Sequence, residues 1–105
     1  MDLSRLVERV PQALLTPENT ALNQEITGAL SDYLDDHFSM YHASEVFIGG
    51  DVSYATYTPQ IANLSARRKA SRQALKVCFT AHNPTLTFSP WLGAIVSHLL
   101  QPPHH

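Results

Sequence analysis

The sequence has one cysteine, Cys78, which excludes an intrachain disulfide and any multi-cysteine zinc site, so nothing points to an oxidising compartment. Charge is scarce too: Asp, Glu, Lys and Arg make up 15% of the chain, against about 25% in an ordinary globular domain. The longest apolar stretch, residues 91–100, is interrupted by Ser97 and His98 and falls far short of the ~20 residues a membrane span needs. Met1-Asp2-Leu3-Ser4-Arg5 lacks the basic start and apolar run of a secretion signal. Together these absences predict a soluble, cytoplasmic protein. No Ser-His-Asp order, paired-carboxylate cleft or nucleotide fingerprint occurs either, so no motif compels catalysis, a cofactor or a metal.

What is present suits one small domain spanning residues 1–105. A chain of 11.7 kDa exposes roughly 5,900 Å² when folded and roughly 17,000 Å² when unfolded, enough burial for an independent core. Thr16-Pro17, Thr58-Pro59 and Ser89-Pro90 share one pattern: a hydroxyl that can cap a free N–H, then a proline suited to the first helical position. They predict helices over 17–38, 59–74 and 90–100. In the first, Leu22, Ile26, Ala29, Leu30, Tyr33, Leu34 and Phe38 recur at spacings of three and four, and Gly28 suggests a close approach to another element. A shorter helix with Leu3, Leu6, Val7 and Val10 precedes it and should stop at Pro11.

The middle and late segments read differently. Residues 45–48 and 52–58, rich in β-branched and aromatic side chains around Gly49-Gly50-Asp51, predict a strand, a turn and a strand. Leu75, Val77 and Phe79 alternate with Lys76, Cys78 and Thr80, so 75–80 and 85–88 read as two more strands across Asn83-Pro84. The alternative is that the third helix continues through Phe79. The expected fold is α+β, in the order ααββαββα, with a small and mostly antiparallel sheet of about four strands packed against three to four helices.

The net charge of −2 hides a segregation. Residues 1–51 hold all nine acids against two arginines, a net −7, whereas 52–105 hold no acid and carry +5. Arg67, Arg68, Lys69, Arg72 and Lys76 make a basic face; Glu18, Glu25, Asp32 and Asp36 make an acidic one. The default reading of the basic face is a solvated helix surface. Its candidate partners are the acidic helix of the same or another copy, an acidic protein, or nucleic acid, the last weakened by the negative overall balance.

Other side chains raise narrower options. Asp36, His37 and His42 offer zinc ligands near Tyr41, but in no familiar spacing. Cys78 and His82, four apart, would pair on a helix; as a strand, however, the segment buries Cys78, and no acid follows Asp51 to orient the histidine. Arg67-Arg68-Lys69-Ala70-Ser71 has the shape of a basophilic kinase target. Trp91, one residue inside its helix start, reads as a core lid, the alternative being an exposed anchor. His104-His105 carry no weight, being equally native residues or the stub of a purification tag.

The leading functional expectation is a small non-enzymatic interaction or regulatory protein, pairing with another protein or with itself as a homodimer, because a charge-poor surface is weakly defended against association. One alternative is a nucleic-acid-binding regulator using 67–76. The other is a small enzyme or ligand binder using His37, Tyr41, His42 or Cys78.

Overall fold

Asn23 starts the first long helix. Its side-chain oxygen accepts from the Ile26 N–H at 2.9 Å, satisfying one of the donors that a helix start leaves open. In the computed structural model, which describes residues 3–50 and 52–101 with side chains from Leu6 onward, this helix runs over Gln24–Ile48 and is called α2. Gly49 and Gly50 turn the chain, with Gly50 at φ +83, a conformation that favours glycine. Ser53 then caps α3, Tyr54–His82, its Oγ accepting from the Thr56 N–H at 3.3 Å. Asp2, the Arg5 side chain, Asp51, Pro102-Pro103 and His104-His105 lie outside the described residues.

Before the hairpin come a 3-10 helix, Leu3–Arg9, the single turn α1, Gln12–Leu15, and a second 3-10 turn, Pro17–Asn19. After it comes α4, Phe88–Leu100. The first 3-10 helix packs on α2, while α4 packs on α1 and α3.

The α+β expectation is overturned: no strand occurs among the described residues. Segments 45–48, 52–58 and 75–80 lie within α2, α3 and α3, apart from the Val52-Ser53 lead-in, and 85–88 is a turn running into α4. The glycine turn is real but joins two helices. The 75–80 segment follows the continued-helix alternative, because Leu75, Cys78 and Phe79 bury together at spacings of three and four. The short alternating runs were outweighed by a seam available only to helices.

The expected helix starts also moved. Thr16 Oγ1 donates backward to the Gln12 carbonyl at 3.1 Å, and Thr58 Oγ1 to the Tyr54 carbonyl at 2.9 Å. Ser89 Oγ instead receives Arg72 at 3.3 Å. None of these hydroxyls caps the helix its proline was expected to open. Glu18 and Asn19 both take positive φ, 44 and 69, which breaks the chain between Pro17 and α2. Pro59 sits inside α3, and Gly28 faces open space rather than a close neighbour.

The core lies at one end of the hairpin. Ile26, Leu30 and Leu34 of α2, Leu75 and Phe79 of α3, and Ile95 of α4 are fully buried. Phe79 stacks on Trp91 with ring centroids 4.5 Å apart and meets Phe88 at 5.5 Å. Trp91 is a core residue, as expected, and its Nε1 donates to the Leu15 carbonyl at 3.1 Å, tying α4 to α1. Buried Asn83 accepts from the Ala21 N–H at 2.6 Å and donates to the Ala21 carbonyl at 3.0 Å, so the end of α3 is fastened beside the start of α2.

Among the described residues from 35 to 74, only Ala43 is buried. The radius of gyration, 15.0 Å, exceeds the ~13 Å of a compact chain this long. Phe79→Ala should therefore cost about 3–5 kcal/mol, while Ile48→Ala, at a site 82% exposed, should change stability by less than about 0.5 kcal/mol. Urea unfolding of both variants checks this division.

Candidate functional site

The uncovered half of the hairpin contains an open groove of about 820 Å³. Phe38, Tyr41, Ala43 and Val46 of α2 form one wall, and Val52, Gln60 and Leu64 the other, with Ser39, His42 and Glu45 at its polar margin. The tip is braced from inside. Phe47 stacks on Tyr57 at 4.2 Å and 17° and meets Tyr54 at 6.2 Å, while Ser44 Oγ lies 3.2 Å from the Tyr57 hydroxyl. Tyr54 and Tyr57, expected on opposite sheet faces, thus flank one phenylalanine. Glu45, one turn on from the exposed Tyr41, raises the phenol's pKa through hydrogen bonding first and through its charge second. Tyr41, Ile48 and Tyr54 remain 46%, 82% and 73% exposed.

The two charged faces meet along the seam of α2 and α3 within one chain. Arg67 approaches Asp36 to 3.1 Å, and Ser71 Oγ donates to Asp36 at 2.8 Å. Asp32 and Asp35 line the same shallow cleft. The basic segment is divided by helical geometry, since each residue advances about 100° around the axis. Arg68, Lys69 and Arg72 line a cleft with Tyr33 and Ser65 on the other flank. Arg72 lies 5.3 Å over the Phe88 ring, a cation–π contact. Lys76 is exposed, as are Glu18 and Glu25. The kinase-like Ser71 is half-buried, and its hydroxyl is already committed to Asp36 and to the Arg67 carbonyl.

The histidine group near the middle of α2 disperses. His37 stacks on Tyr33 at 5.7 Å and edges Phe38 at 5.1 Å, with the Tyr33 hydroxyl 3.4 Å from Nδ1. His42 lies at the groove and Asp36 is held by Arg67, so the three do not converge on one point. Burial first, and the Arg68 charge second, lower the His37 pKa below its ordinary 6.5.

Cys78 and His82 lie on α3 at the helical spacing, and the acid absent from their half of the sequence arrives from α2. Glu25 Oε2 stands 3.7 Å from His82 Nε2, and a Glu25 carboxylate oxygen lies within 4.8 Å of the Cys78 sulfur. Asn23 Nδ2 is 3.2 Å from the same imidazole nitrogen. Burial, followed by the Glu25 charge and hydrogen bond, pushes the Cys78 thiol up, which disfavours a thiolate–imidazolium nucleophile.

No protein-family model matches this chain, and neither does any curated protein or solved structure.

Sequence reasoning missed the groove because it assigned 45–58 to a β-hairpin. Its signal was the continuation of the Leu30, Leu34, Phe38 stripe through Tyr41 at helical spacing. Glu25 as a neighbour of Cys78 and His82 was missed because it lies far away in sequence. The lowered His37 pKa makes a testable statement: the unfolded chain binds that proton more readily, so stability falls as pH drops through 6.5. Between about pH 7.5 and about pH 5.5, His37→Gln should flatten the decline in urea midpoint relative to the parent chain.

Proposed function

We propose that this chain is a non-enzymatic interaction protein of the cytoplasm that pairs with a second copy of itself through the uncovered half of the α2–α3 hairpin. The observation that carries the reading is the groove between Phe38 and Leu64. It is an apolar helix face about as large as a small ligand pocket, and among the described residues only α2, α3 and the turn between them line it. Two helices alone cannot hide both their inner and flanking faces, so a second pair is the natural complement. Two hairpins laid together make four helices around one shared core.

A second copy suits this surface better than a charged partner. Residues 37–66 contain Glu45 and Asp51 as their only Asp, Glu, Lys or Arg, so identical faces meet with little repulsion and a charged partner finds little to pair with. Charge is ordinarily depleted at the centre of an interface and aromatic residues are enriched there, as Phe38, Tyr41 and Tyr54 are here. A two-fold axis would present the same patch from both copies.

The charged faces support this form of pairing less than the groove does. Arg67 already holds Asp36 within the chain, which removes one pair from the exchange of acidic and basic helices between copies. A nucleic-acid reading has the basic residues split between two flanks of the seam and none in the groove. Sedimentation equilibrium is the test. The parent chain should be dimeric in both low and high salt, because apolar burial drives the contact. Tyr41→Lys, which can pair with Glu45 one turn on, should sediment as a folded monomer. A parent chain that stays monomeric at every concentration overturns the proposal.

A further inference from the structure

At the other end of the hairpin, three side chains of different donor type converge from two helices. Cys78 and His82 stand one turn apart on α3, and Glu25 lies in the first turn of α2. One donor atom from each, a sulfur, an imidazole nitrogen and a carboxylate oxygen, lies within 4.8 Å of the other two. We propose that Glu25, Cys78 and His82 bind a zinc ion, leaving its fourth position open to solvent.

The donor set selects the metal. Magnesium and calcium take oxygen ligands almost throughout, whereas a thiolate, an imidazole and a carboxylate are the three ligand types zinc accepts. At zinc bond lengths, neighbouring donors of a tetrahedron lie roughly 3.3–3.6 Å apart, so the cluster must close by about an ångström from its widest spacing. The two ligands that would move have room to do so, the Glu25 side chain being 73% exposed and that of His82 40% exposed, and the Asn23 amide 3.2 Å from His82 Nε2 gives up that nitrogen as the ion takes it. The third is fixed, since Cys78 is buried in the core cluster.

The frame around them is fixed as well. Asn23 caps α2 two residues before Glu25, and Asn83, the residue after His82, is bonded twice to Ala21. The backbones carrying the outer ligands are therefore held together without the ion. Cys78 loses its thiol proton to solvent as the metal–sulfur bond forms. Three protein ligands fill three positions, and the exposed Glu25 and His82 place the remaining one toward water, where water or another small donor completes the shell.

Cobalt(II) is the probe, added to the full chain under a non-thiol reductant. The expected result is a near-ultraviolet thiolate-to-cobalt charge-transfer band with the visible bands of a tetrahedral ion, saturating at one equivalent and abolished by added zinc. A pair of terminal histidines can hold cobalt but cannot produce the thiolate band. Cys78→Ser should eliminate that band. Loss of an outer partner alone usually costs about 10–100-fold in metal affinity, so Glu25→Gln and His82→Gln should each weaken binding at least tenfold. Both changes are at exposed side chains, so they report on the site even if Cys78→Ser fails to fold. Absence of the charge-transfer band, or a band whose affinity neither Glu25→Gln nor His82→Gln alters, overturns the proposal.

Discussion

Phe79 is the point at which the fold is fastened. It is fully buried on α3, stacks on Trp91, meets Phe88, and lies in the same cluster as Ile26, Leu30 and Leu34 of α2. Trp91 passes the connection on through its indole N–H to the Leu15 carbonyl. Helix α4 and the N-terminal turns are thereby held to one end of a hairpin whose helices are 25 and 29 residues long. Helices of that length extend about 37 and 43 Å, much farther than α4 and the short N-terminal elements can cover. The uncovered groove is the geometric remainder of where the aromatic cluster sits.

The separation of charge along the sequence acquires a concrete meaning in this geometry. An acid-rich α2 folds back against a base-rich α3, and the sorted charges become neighbours across a seam. Asp36 meets Arg67 and Ser71 on one flank, while Arg68, Lys69 and Arg72 gather on the other. The same folding brings Glu25 to Cys78 and His82. Exposed ion pairs contribute little stability, typically 0–1 kcal/mol each, so the arrangement matters less for holding the helices together than for which side chains share a site.

Sequence patterns revealed some of this directly. The Ile26, Leu30, Leu34 stripe, the apolar face of α4, the turn at Gly49-Gly50 and the burial of Trp91 were all legible because each depends on local spacing. The strands were misread because six residues such as Leu75–Thr80 satisfy a two-residue period and a helical one almost equally well. What decides between them is the partner: Leu75, Cys78 and Phe79 bury together only against α2 and α4. The hydroxyl–proline steps misled for a similar reason. Thr16 and Thr58 can bond forward as caps or backward to a carbonyl, and only the surrounding chain selects. The groove and the Glu25 cluster were illegible because both are made by residues tens of positions apart.

The position of Pro59 has a consequence for how the hairpin comes apart. Proline has no N–H to give the Ala55 carbonyl, so the ladder of α3 lacks a rung close to the turn. The residues ahead of it are joined to α2 chiefly through the Phe47–Tyr57 stack and the Ser44–Tyr57 contact. Opening of the tip can thus stop at Pro59 without drawing on Phe79 and its neighbours. Opening near the turn breaks fewer buried contacts than global unfolding, which requires the aromatic cluster to dissolve.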